Sequence, residues 1–298
     1  MANLSRVLQY FIPQPCPYPL IRIGGSSDGA YLIPKDFNGI IACFSPGVCN
    51  AKDFEDELAE KHGIRSHLCD FSSDQHLLKT PLIEGMQTFE KKWLDLKNSA
   101  TSLTLHDWVR NAESGELGDL ILQMDIEGAE YRNLIYTPEE CLNRFRIIVV
   151  EIHDLGRFED KLGIVYAIKQ AFKELVSKSW LPIRRGIGSL PKNIVIENVV
   201  SRLGGVLEPY LIEKFARKIS KTHVCVHAHP NNCCGEFIDK ETGMNVPRVL
   251  ELTFLRRDRL KAINHEFISP KVPHPLDIVN VPENSPLELN SRWTRLNA

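Results

Sequence analysis

The segment Arg146-Ile-Ile-Val-Val-Glu-Ile-His153 constrains the fold more than any other. It is too short for a typical helix and does not alternate apolar with polar residues. A strand buried on both faces reads this way. Asp119-Leu-Ile-Leu-Gln-Met124, Gly39 to Ser45 and Ile64 to Cys69 have the same character. Between them lie amphipathic stretches. Asp53 to His62 reads as a helix with Phe54 and Leu58 on one face and Gly63 as its stop. Glu127 to Ile135 reads as a helix closed by Pro138. Asp160 to Ser179 keeps Val165, Ile168, Phe172, Leu175 and Val176 at helical spacing. Strands alternating with helices imply an α/β fold, with a mostly parallel sheet covered on both faces.

The remaining elements are less regular. Glu90 to Leu96 is compatible with a helix, Ser102 to Leu105 with an extended segment and Asp107 to Ala112 with a short helix. Thr222 to Ala228 and Val249 to Arg256 read as late strands. Pro270, Pro273, Pro275, Pro282 and Pro286 make the C-terminal tail extended or irregular. The expected organisation is one domain over residues 1–298, with an N-terminal extension (1–38), an insertion (about 182–218) and a proline-rich tail (about 270–298).

Of 298 residues, 43% are hydrophobic and 25% charged, as in ordinary globular chains. The formal net charge is -2, with 36 Lys+Arg against 38 Asp+Glu. That gives no basic surface for general nucleic-acid binding. No apolar run approaches the roughly 18 residues of a membrane span. Met1 to Phe11 lacks the apolar core of a signal peptide. The expectation is a cytoplasmic protein whose 8 cysteines are reduced thiols.

In such a sheet, ligands bind beyond the carboxyl ends of the strands. The first core strand runs into Ser45-Pro-Gly47-Val48, where glycine allows close backbone approach. Asp70 ends the next strand, 23 residues after Gly47. A nucleoside site places a ribose acceptor at about this spacing. The three glycines of a dinucleotide loop are missing, which disfavours a nicotinamide-dependent oxidoreductase. Asp125 and Glu151 end two later strands, and His153 follows. Paired acids there can share a proton or hold a cation. Alternatively, Asp125 caps a helix and His153 is structural. Strand periodicity puts His223, Cys225, His227 and His229 on one face. Three readings stay open for that face: a zinc site, buried structural histidines before a turn at Asn231-Asn232, or His227 facing a substrate.

Taken together, Arg22-Ile-Gly-Gly-Ser-Ser-Asp28-Gly29-Ala-Tyr31, Ser45-Pro-Gly47-Val48, Asp70, Thr104-Leu-His-Asp107-Trp108, Asp125-Ile-Glu127-Gly128-Ala129-Glu130 and His227-Ala-His-Pro-Asn231-Asn232 resemble FkbM-type methyltransferases. The resemblance covers about residues 20 to 155 and, more weakly, 220 to 257. Pro46, Cys49 and His106 depart from the usual pattern. The resemblance implies a class I, Rossmann-like three-layer sandwich with a late antiparallel strand. It also implies S-adenosyl-L-methionine-dependent methyl transfer to a hydroxyl of a small-molecule or glycan acceptor. Asp28, Ser45, Gly47, Asp70 and Asp107 are then expected at the cofactor. Asp125, Glu151, His153 and His227 are expected at the reaction, with Asp125, Glu151 and His153 suited to Mg²⁺ and His227 to a general base. A zinc-stabilised scaffold without catalysis is the competing reading.

Overall fold

The computed structural model describes residues 3–26, 28–115, 118–159, 208–261, 266–290 and 293. The expected helix from Asp160 to Ser179 and most of the expected insertion lie outside them. Seven strands form one sheet: β3 (Ile40–Pro46), β4 (Arg65–Cys69), β5 (Gln87–Glu90), β8 (Asp119–Met124), β9 (Phe145–Ile152), β10 (His223–Ile238) and β11 (Asn245–Arg256). Their order is β10-β11-β9-β8-β3-β4-β5. Among them β11 alone runs against the common direction of the other six. β9 has every residue buried, as its unbroken apolar run requires.

One face of the sheet packs on α1 (Leu4–Leu8), α3 (Leu105–Ala112), α4 (Glu130–Tyr136), α5 (Glu139–Leu142) and α6 (208–222). Phe11, Phe44, Trp108, Tyr131, Phe215 and Phe254 dominate that core. The other face packs on α2 (Asp53–His62) and on a hairpin of β1 (Leu20–Ile23) and β2 (Tyr31–Pro34), through Ile23, Tyr31, Ile33, Phe54 and Leu58. The expected N-terminal extension is thus part of the core: α1 covers one face and the hairpin the other. No described helix is long and apolar enough to cross a membrane.

Local signals explain most boundaries. Asp53, Glu55 and Asp56 lie in the first turn of α2, where negative charge favours the helix N-terminus. Gly63 ends it at φ 65°. Thr104 caps α3 by accepting the Asp107 amide. Three expectations fail. Glu90 to Leu96 is not helical: Glu90 ends β5, and Trp93–Leu94 (β6) pairs with Ser102–Leu103 (β7). α4 starts at Glu130 rather than Glu127, because Glu127 (φ 55°) and Gly128 (φ 92°) are left-handed and cannot continue a helix. Asn231-Asn232 is no turn, because β10 runs on to Ile238.

At the amino ends of the strands, Arg146 ties three segments together. Its Nη1 lies 3.1 Å from Asp36 Oδ1 and its Nη2 2.6 Å from Asp119 Oδ2. Nη1 also donates to the Asn38 carbonyl at 2.7 Å. Arg146 and Asp36 are both buried. Replacing Arg146 by Met should leave buried Asp36 with Arg259 as its remaining cation and the Asn38 carbonyl without its donor, costing about 1–3 kcal/mol of stability. Urea unfolding checks this, and a loss below about 1 kcal/mol would show that Arg256 and Arg259 carry the site instead.

Candidate functional site

The strand order reverses at β3: the chain steps from β3 to β4 and β5 on one side, then returns to place β8 on the other. The crevice between the ends of β3 and β8 is therefore the switch point. Gly47 lies there at φ 85°, and a Cβ on it would meet the Asp125 carbonyl oxygen at 1.8 Å. The loops after β3 and β8 approach so closely that only glycine fits.

Asp70, at the end of β4, joins two loops. Its Oδ2 accepts from the Cys49 amide (3.0 Å) and the Ser73 hydroxyl (3.1 Å). Its Oδ1 accepts from the Ser72 amide (2.8 Å) and hydroxyl (2.6 Å). Burial opposes ionisation, but these bonds outweigh it and keep the carboxyl below the usual range.

The other candidates separate. Ser45 is fully buried, with its Oγ 3.5 Å from Cys43 Sγ. Asp28 accepts from Asn280 of the tail at 2.9 Å. Asp107 accepts from Asn98 and Thr104 and pairs with Arg110. It lines a cleft of about 610 Å³ beside β4 and β5, with His67, Thr88, Glu90 and Trp108.

Asp125, Glu151 and His153 do come together. His153 Nε2 stands 3.8 Å from Asp125 Oδ1, 4.0 Å from Glu151 Oε1 and 3.6 Å from Glu127 Oε2. Its Nδ1 is 3.2 Å from Glu130 Oε1. That oxygen also accepts the amides of Ile126 (3.0 Å) and Gly128 (3.1 Å). Tyr131 donates its hydroxyl to the His153 carbonyl, fixing the backbone behind the ring. Glu130, fully buried, is the residue that the sequence reading missed. In the sequence its position reads as the first turn of a helix; in the structure a left-handed Glu127-Gly128 pair folds the Asp125–Glu130 segment back on itself.

Electrostatics in this cluster are dominated by desolvation. Burial, then repulsion from Asp125 and Glu251, raises Glu151 strongly, so it keeps its proton at neutral pH and shares it with Asp125. Burial alone would lower His153, but the Glu130 hydrogen bond and the surrounding carboxylates push it up to about 9. Across the sheet, Glu151 is in register with Glu251, and Glu251 with His229. Asn231 donates to Glu151 at 2.9 Å.

The expected four-residue face on β10 does not form. Cys225 opposes Phe254 while His227 opposes Thr253, its neighbour, so Val226 is an inserted bulge residue. His223 and Cys225 face the helix-covered core; His227 and His229 face the opposite way. The set needed for a zinc site is thereby divided. His223 is within 2.8 Å of the Phe145 carbonyl. His227 Nε2 lies 3.0 Å from Asp277 Oδ1, and His229 Nδ1 3.5 Å from Asp277 Oδ2. His227 is thus held by the tail and lies apart from the His153 cluster. Asn232 binds the tail too, donating to the Val281 carbonyl and accepting its amide, both at 2.8 Å.

These contacts make tail docking pH-dependent. Burial disfavours charged His229, but the Asp277 carboxylate 3.5 Å away and the charge of Glu251 outweigh it and raise its pKa. A raised histidine contributes stability that is present below its unfolded value of about 6.5 and lost as pH rises through its folded value. Asp277 is depressed: burial opposes, but bonds and charge from His227 and His229 prevail. Its contribution is lost only in strong acid. The melting-temperature gap between wild type and Asp277→Asn should therefore shrink as pH rises above about 6.5. A constant gap would mean that the histidines do not respond to the tail.

No protein-family model, no curated protein and no solved structure matches the chain.

Proposed function

We propose that the chain is an S-adenosyl-L-methionine-dependent methyltransferase acting on a hydroxyl of a small-molecule or glycan acceptor. The observation that carries this reading is the placement of the Gly47 loop and Asp125 at the switch point, with Glu151 and His153 ending the next strand. The antiparallel β11 agrees with the class I sheet that the FkbM resemblance implies.

The fit to the cofactor can be tested on Asp70. Its four hydrogen bonds occupy the carboxylate. Two come from backbone amides that hold the loops and two from serine hydroxyls. A ribose diol would replace the Ser72 and Ser73 hydroxyls with hydroxyls of its own and leave the amide bonds intact. Gly47 contributes by loop shape, since its bare Cα is covered by the Asp125 carbonyl rather than open to a ligand. Asp28 would need to release Asn280 to meet an ammonium group.

The bound cofactor supplies a sulfonium-activated methyl group, a good leaving arrangement that leaves the protein to align the acceptor and take its proton. At neutral pH His153 holds its proton, so it orients rather than abstracts. Asp125 is the anion of the pair that it forms with protonated Glu151, and burial raises its basicity. Asp125 is thus the proton acceptor in this reading, in place of His227. His153 and Glu151 then stabilise the charge arrangement as the acceptor proton moves to Asp125.

Calorimetric titration with S-adenosylhomocysteine tests the assignment. One molecule per chain is expected to bind, and Asp70→Ala should weaken binding at least tenfold, since a bond to a charged group contributes about 1.5–3 kcal/mol. Asp70→Asn, which keeps one acceptor oxygen, controls for collapse of the loops and should lie between. Absence of binding by folded wild-type protein would overturn the reading, as would unchanged affinity in Asp70→Ala.

A further inference from the structure

We propose that Cys233 and Cys234 form a reversible oxidation site, closed into a disulfide between adjacent residues by exchange with a low-molecular-weight disulfide such as glutathione disulfide. Cys49, Cys233 and Cys234 are exposed, and the other cysteines are buried. Cys49 lies in the loop after β3. The sulfurs of Cys233 and Cys234 face each other 2.6 Å apart.

The backbone brings these two sulfurs together. In a regular strand successive side chains point to opposite faces, which keeps the thiols of a Cys-Cys pair apart. In β10 the register with β11 breaks: Asn231 lies opposite Val249, but Glu236 lies opposite Pro247. The extra residues of β10 form a bulge that includes both cysteines and Gly235 at φ 70°. Both ends of the Cys233 residue are held. Its amide donates to Asn231 Oδ1 at 2.9 Å, and its carbonyl accepts from Asn284 of the tail at 3.3 Å. A fixed piece of backbone therefore presents the pair to solvent. The same bulge reaches the edge of the sheet, since Asn231 also donates to Glu151.

The exchange balances without a further reactant. Burial, then the neighbouring Cys234 thiol, pushes Cys233 up to about 12, so Cys233 is held in reserve and Cys234 makes the first attack. The Cys234 thiolate bonds to one sulfur of glutathione disulfide, whose S–S bond breaks and releases one glutathione. Cys233 then gives up its proton and attacks Cys234 Sγ. The Sγ–Sγ bond forms and the second glutathione leaves. Two electrons and the two thiol protons pass from the protein to glutathione disulfide, which becomes two glutathione thiols. The second step is intramolecular between neighbouring sulfurs, so the mixed disulfide is short-lived. Reversal follows from covalent geometry. Adjacent Cα atoms are about 3.8 Å apart across a trans peptide. An ordinary disulfide spans roughly 4.4–6.8 Å, so a bond closed between adjacent residues is strained and readily reduced.

The inference is independent of the methyl-transfer reading and is measured without cofactor or acceptor. Full-length protein would be incubated in glutathione buffers of rising disulfide content, quenched with acid, alkylated and mapped by peptide mass spectrometry. The peptide holding both cysteines is expected to lose two hydrogens and both alkylation sites, and to regain them with dithiothreitol. Cys233→Ser and Cys234→Ser replace exposed side chains, and circular dichroism checks that each variant is folded. Wild type should carry at least about tenfold less glutathione on this peptide than the variants, each of which lacks one sulfur of the exchange. Thiols that remain alkylatable in glutathione disulfide alone overturn the site. So do a glutathione adduct as abundant in wild type as in the variants, and a bond from either residue to Cys49 or to a second chain. Resistance of the closed pair to dithiothreitol overturns its reversibility.

Discussion

Glu151 is the residue on which the upper edge of the sheet depends. It interrupts the most apolar strand of the chain and lies buried between Asp125 and Glu251. An isolated carboxylate there would be very costly, since burying an unpaired charge loses several kcal/mol of hydration. The protein meets the cost by neutralising and pairing. Glu151 keeps a proton shared with Asp125, Asn231 donates to Glu151, Asn280 donates to Glu251, and His153 stands over Asp125. Removing any one of these partners exposes the repulsion that the others contain. The tail, which supplies Asn280 and Asp277, is therefore part of the site's electrostatics although it adds no strand to the sheet.

What the sequence revealed and what it hid divide along physical lines. Buried strands advertise themselves by unbroken apolar runs, so β3, β8 and β9 are legible nearly to the residue. Residues that end such strands are legible as site candidates, because open α/β sheets place ligands there; Asp125, Glu151 and His153 were found this way. The face of β10 was not legible. One inserted residue, Val226, reverses every later side chain, and nothing in a Val-Cys-Val run marks which residue bulges out. His227 thus left the expected cluster for a partner 50 residues further on, in a segment whose prolines said only that it would be irregular. Glu130 was hidden differently. Its position in the Asp125–Glu130 motif looked like the first turn of a helix. The helix does begin there, but only after two left-handed residues have swung its carboxylate back towards His153. The short β1–β2 hairpin could have been read from the apolar residues flanking the Gly24-Gly25 and Asp28-Gly29 turns.

The two ends of the sheet solve opposite problems with the same residue types. At the amino ends, Asp36 and Asp119 face Arg146, Arg256 and Arg259, so each carboxylate has a permanent cation with five fixed donors. Such a network is satisfied and has nothing left to offer a ligand. At the carboxyl ends, Asp125, Glu130 and Glu151 surround a single histidine whose Nε2 meets none of them within hydrogen-bonding distance. The carboxylates there outnumber the cations beside them, and two of their oxygens remain without any donor. A fold that required only stability would have paired the second set as it paired the first. The imbalance at one edge, beside a complete network at the other, makes the carboxyl ends the electrostatically unsatisfied edge of the sheet.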